Sequence, residues 1–89
     1  MIRRTSYFSG NVQGVGFRFT ARHVAQNFDV GGYVRNLDDG RVEVVAEGER
    51  DEIDRFLVAL EQKMEGFIRQ RTDSDTPATG QFLDFQVRH

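Results

Sequence analysis

Cysteine and tryptophan are absent from the 89 residues, and proline occurs once, at Pro77. Without cysteine there is no disulfide to staple the fold, no thiolate nucleophile and no cysteine-ligated zinc. Long apolar runs are missing as well, so nothing in the chain reads as a membrane span. The basic pair Arg3-Arg4 is not followed by an apolar stretch, and a secretory leader is not expected. Basic excess is also lacking: 12 Lys and Arg face 14 Asp and Glu, for a formal net charge of −2. The pI near 5.6 argues against a dedicated nucleic-acid binder. It leaves room for a small-anion site, where local donors decide the potential. The expectation is a cytoplasmic monomer with neither a membrane nor a nucleic acid as partner.

What is present suits one small core. Hydrophobic residues make up 38% of the chain, with eight Phe and two Tyr. That supports a single domain over residues 1–89. No internal repeat, low-complexity tract or linker divides it.

The pattern along the chain gives the element order. Arg4 to Gly10 reads as a strand, with Ser6, Phe8, Gly10 and Val12 on one face, the serine weakening it. From Phe17 the period changes. Phe17, Ala21, Val24, Ala25 and Phe28 form one stripe of an amphipathic helix of about eleven residues. Tyr33 to Asn36 is a short strand, and Asp39-Gly40 signals a hairpin turn. Val42, Val44 and Ala46 then alternate with Glu43, Val45 and Glu47. Ile53, Phe56, Leu57, Leu60 and Met64 mark a second helix, with Glu49, Asp51 and Glu52 at the positive end of its dipole and Gly66 as its stop. Phe67 to Thr72 is a strand, Asp73 to Gly80 a polar loop, and Phe82 to Arg88 a last strand with Leu83, Phe85 and Val87 on one face. The aromatic residues fall mainly on core stripes, with Tyr7 the expected exception. The fold class is α+β: a ferredoxin-like split βαβ (βαββαβ plus a short C-terminal strand), two helices packed on one face of a mostly antiparallel sheet. Many functions share this architecture, so it decides none of them.

The most informative stretch runs from Gly10 to Arg18, joining a strand end to a helix start through Gly14 and Gly16. Successive main-chain N–H groups in such a loop can turn inward as an anion nest, and the helix N-terminus adds unsatisfied donors. Glycine admits positive φ and close approach to a ligand. Arg18 ends the loop with a planar fork of donors that matches two phosphate oxygens. Taken alone, the segment is equally a tight connection bearing a surface arginine. It is neither a Walker A loop, since no Gly-Lys-Ser/Thr follows, nor a G-x-G-x-x-G fingerprint.

Asn36 is the second piece. In a right-handed β-α-β unit the two strands run parallel, so their C-terminal ends share one edge of the sheet. A helix of about eleven residues descends about 16 Å, and a strand of about five climbs back a similar distance. Asn36 is thereby expected beside the Gly14 loop and Arg18, where an amide can hold a water. By itself, an asparagine before Asp38-Asp39-Gly40 also fits a residue leading into a turn.

Gly10, Val12, Gln13, Gly14, Val15, Phe17 and Arg18 match G-x-V-Q-G-V-x-F-R; Gly32, Val34, Asn36, Gly40 and Val42 match G-x-V-x-N-x-x-x-G-x-V. With these two patterns, and the closing Phe85-Gln86-Val87-Arg88, the chain resembles the acylphosphatase family along nearly its whole length. The resemblance implies hydrolysis of the carboxyl-phosphate anhydride of acyl phosphates, without metal or other cofactor, giving a carboxylate and inorganic phosphate. Inorganic phosphate is then both product and competitor. It implies catalytic roles for Arg18 and Asn36, and a phosphate-binding loop of Val12, Gln13, Gly14, Val15, Gly16, Phe17 and Arg18. Departures from the family pattern are Tyr33 in place of a frequent tryptophan, Ser6 in the first strand, Leu37 where some members carry a small hydroxyl residue, and His89 where many end in tyrosine.

Other constellations carry less. His23 and His89 lack metal-ligand spacing, and His23 falls on a solvated helix face. Asp38 and Asp39, beside Gly40, suit turn chemistry better than magnesium. The alternative function is a non-catalytic phosphate- or RNA-binding module of the same fold. An RNA reader needs exposed sheet aromatics and an RNP1-like run, which Arg41-Val42-Glu43-Val44-Val45 is not.

Overall fold

In the computed structural model, which describes residues 1–89, the chain forms β1 (Ile2–Gly10), α1 (Phe17–Ala25), β2 (Gly31–Asn36), β3 (Val42–Gly48), α2 (Arg50–Lys63), β4 (Ile68–Pro77) and β5 (Phe85–Arg88). The strands make one sheet of order β4-β1-β3-β2-β5. β3 pairs antiparallel with both β1 and β2, so those two run parallel with β3 between them. β5 adds to β2 in parallel, and the sheet is mixed. This is the split βαβ order expected from the pattern.

The core lies between the sheet and the two helices. α1 contributes Phe17, Ala21, Val24 and Ala25, and α2 contributes Ile53, Phe56, Leu57 and Leu60, each set spaced to fall on one face. Phe8, Val34, Val42, Val44 and Ala46 meet them from the sheet. α1 is shorter than expected, because the chain turns after Ala25. Phe28 still reaches the core from that turn, 6.2 Å from Phe56 between ring centres.

Ser6 is buried in the middle of β1, where its hydroxyl donates to Asp73 Oδ1 at 2.7 Å. Arg4, buried on the same face, holds Asp75 with Nε at 2.8 Å and Nη2 at 3.1 Å, and also pairs with Asp54 of α2. These contacts explain the largest departure from expectation. Asp73 to Pro77 is not a loop but the second half of β4, paired with β1 through Ile2↔Pro77. It is an edge strand, so it needs no apolar alternation, and its aspartates face basic and hydroxyl partners on β1.

The last strand is also shorter than expected, starting at Phe85, and Leu83 is fully exposed rather than part of the Phe85–Val87 face. All seven residues of β3 are buried, including two glutamates. Glu43 accepts from Arg35 Nε at 2.7 Å. Glu47 accepts from Thr79 N, Thr79 Oγ1 and Gly80 N at 2.7–2.9 Å. Buried carboxylates of this kind are tolerable because no buried side-chain oxygen is left without a hydrogen-bond partner. No helix is long and apolar enough to cross a membrane.

Candidate active site

The sheet register places the candidate residues together. Phe8 of β1 and Asn36 of β2 both oppose Val42 of β3, so Asn36 stands level with the strand end that leads into the loop. Arg88 of β5 opposes Arg35, one step before Asn36. The C-terminal ends of β1, β2 and β5 therefore share one edge of the sheet, and α1 begins there.

The loop is pinned at both ends by apolar anchors. Val12 is wholly buried, and Phe17 packs on Phe8 with ring centres 5.0 Å apart. Between them Gly14 and Gly16 take φ of 77° and 79°, the left-handed region that side-chain-bearing residues rarely adopt. No side chain caps α1, and its first turn holds no acidic residue. The first intrahelical bond runs from Thr20 N to Gly16 O at 3.0 Å, leaving the N–H groups before Thr20 without helical acceptors. The arrangement presents free donors and the positive end of a helix dipole with nothing to neutralise them.

Val12, Gly14, Gly16, Phe17, Arg18, Phe19 and Asn36 line one cavity of about 120 Å³ at this edge. The arginine and the asparagine, 18 residues apart in sequence, thus meet over the loop. Arg18 is steered from the far side: Nη1 donates to the main-chain oxygen of Arg88 at 3.3 Å and contacts His89 Nδ1 at 3.0 Å. A guanidinium can only donate, so in this contact the imidazole nitrogen is the acceptor.

Two expected loop residues do not line the cavity. The Gln13 amide turns to the β2–β3 connection, where Nε2 donates to Leu37 O at 2.8 Å and Arg41 O at 2.9 Å. Val15 packs against the core. Phe17 places its ring in the core, which leaves its main chain for the cavity. Asp38-Asp39-Gly40 behaves as a turn. Asp39 accepts from Arg41 N at 3.0 Å and Arg41 Nε at 2.9 Å. That main-chain N–H, with the guanidinium behind it, holds the Asp39 carboxyl below its ordinary value. A wider depression of about 560 Å³ lies beside this turn, but Asp39 and Arg41 on its wall already satisfy one another.

Sequence reasoning passed over Phe19 and the contact of Arg18 with Arg88 and His89. The available signal for Phe19 was its phase: two residues after Phe17, it falls about 200° around the helix from the buried stripe.

Residues 4–87 match the acylphosphatase family model. The chain is 42% identical over 79 residues to an acylphosphatase of Acaryochloris marina (strain MBIC 11017), covering 89% of this chain and 85% of that one. It is 41% identical over 88 residues to an acylphosphatase of Thermobifida fusca (strain YX), covering 98% and 97% of the two chains. Among solved structures, the crystal structure of acylphosphatase from Bacillus subtilis superposes with a TM-score of 0.91 at 28% identity, covering 100% of both chains.

Proposed function

The chain belongs to the acylphosphatase family and is an acylphosphatase, and from that premise we propose that Arg18, Asn36 and the Val12–Arg18 loop carry its hydrolysis of acyl phosphates. The observation that supports this assignment is the shared cavity, where a guanidinium, a carboxamide and the uncapped start of α1 converge.

The substrate is R–CO–O–PO₃²⁻. Its carboxylate is a good leaving group, so the protein's task is positioning and charge stabilisation. The loop N–H groups and Arg18 hold the phosphoryl oxygens as charge spreads over them. Asn36 orients a water for in-line attack at phosphorus. The water oxygen bonds to phosphorus, the bridging P–O bond breaks, and its electron pair leaves with the carboxylate. One water proton passes to a phosphoryl oxygen, giving RCOO⁻ and H₂PO₄⁻. No side-chain base and no metal are required by this balance. All the groups named lie on one chain, so the proposed site is complete in a monomer.

The test is hydrolysis of benzoyl phosphate in EDTA with inorganic phosphate as competitor. Turnover is expected to persist in the chelator. Arg18→Gln should lower kcat by roughly 10²–10³ and weaken phosphate competition. Asn36→Ala should lower kcat while leaving phosphate competition near the parent value. An asparagine variant changed only in KM would contradict the role given to Asn36.

A further inference from the structure

The cavity that takes the phosphoryl group is open at the surface: Gly14, Gly16 and Phe19 of its lining are exposed. With the phosphoryl group seated against the loop and Arg18, the acyl group attached to it extends past that exposed border.

Three apolar residues belong to the lining. Val12 and Phe17 are sealed into the core at 0% and 2% exposure, whereas Phe19 is 78% exposed. Its ring takes no part in any of the ring–ring or cation–ring contacts of the molecule. An isolated exposed apolar residue is ordinary on a protein surface, and Met1, Val58 and Leu83 are of that kind. Phe19 differs in its place, directly after Arg18 and on the wall of the cavity. An aromatic face there gains by contact with another ring or a broad apolar group and gains little from a single methyl.

We infer that Phe19 is a specificity-determining residue of this enzyme, a platform for the acyl portion, and that the site favours aromatic and bulky apolar acyl phosphates over acetyl phosphate. This rests on the placement of the phosphoryl group by Arg18 and the loop.

The experiment compares kcat/KM for benzoyl phosphate and acetyl phosphate in the parent, Phe19→Ala and Phe19→Tyr proteins, with the inhibition constant of inorganic phosphate measured in each and in Arg18→Gln. Using the ratio of the two substrates within each protein removes their difference in intrinsic reactivity. Phe19→Ala is expected to lower the benzoyl-to-acetyl ratio about fivefold to tenfold, with phosphate inhibition unchanged within about twofold. Phe19→Tyr, which keeps the ring, should keep the ratio. An unchanged ratio in Phe19→Ala overturns the inference. So does an equal loss on both substrates with weakened phosphate inhibition, since Phe19 would then be acting through the loop. If Arg18→Gln leaves turnover and phosphate inhibition intact, the placement of the phosphoryl group fails instead.

Discussion

Replacing Gln13 by methionine keeps the length of the side chain and removes its donors, which isolates what the amide does between the loop and the β2–β3 turn. Two hydrogen bonds are lost, to Leu37 O and Arg41 O. Each is worth about 1 kcal/mol net. Both carbonyls keep a second donor, Gly40 N at 3.2 Å for Leu37 O and Leu37 N at 2.8 Å for Arg41 O. Neither is left unpaired, so the loss should stay at about 1–2 kcal/mol. For a chain of this size that lowers Tm by about 5–10 °C, read by circular dichroism. The same amide ties the loop to the turn that follows Asn36. Its removal should loosen the placement of Asn36 relative to the phosphoryl group and cost about tenfold in kcat. Arg18 and the glycines are untouched, so inhibition by inorganic phosphate should hold within about twofold. A lower Tm with unchanged kcat would reduce Gln13 to a structural tie. A rise in the phosphate inhibition constant equal to the fall in kcat would show that the loop, not the turn, had moved.

Glu47 tests the buried carboxylate. Burial pushes its carboxyl up, but the N–H groups of Thr79 and Gly80 and the Thr79 hydroxyl hold it below its ordinary 4.5. A depressed carboxylate stabilises the fold above about pH 4.5, and that contribution fades as pH falls through the folded value. Glu47→Gln should therefore cost about 1–3 kcal/mol near neutral pH and show a shallower loss of Tm on acidification than the parent. Parallel acid slopes in the two proteins would refute the assignment. Gly32 and Gly16 form a contrast. A Cβ at Gly32 would lie 1.8 Å from Val45 O, so Gly32→Ala should fail to give folded protein. At Gly16, with φ of +79° and no atom within 4 Å of a Cβ, alanine meets only the backbone penalty of about 1–2 kcal/mol. Soluble yield and thermal melts of the two variants separate these cases.

The helices and their stripes were legible because apolar spacing is a local signal that burial then enforces. The β1–β2 geometry follows from chain direction alone, which is why the sequence already places Asn36 near Arg18. β4 was half missed because its polar residues take their order from partners on β1 that lie 65 or more positions away in the chain, such as Arg4 with Asp75 and Ser6 with Asp73. Leu83 was misplaced because alternation was extended beyond the point where the backbone pairs. The same limit explains Glu43 and Glu47. Alternation alone does not say that their face is covered, and the positions of Arg35, Thr79 and Gly80 show how they are buried. Phe19 lies off the Phe17–Ala21–Val24 stripe by its helical phase, and its 78% exposure agrees with that phase.

A cradle built from peptide N–H groups has an unusual exposure to mutation. Most base changes in a gene swap one side chain for another and leave the amide of that position where it was. The loop beside α1 is therefore insulated from drift at most of its codons. It is vulnerable chiefly where a change forbids the left-handed turns at Gly14 and Gly16, or where an insertion shifts the spacing to Arg18. Descendants of such a protein can lose much of their spelling while the anion seat persists.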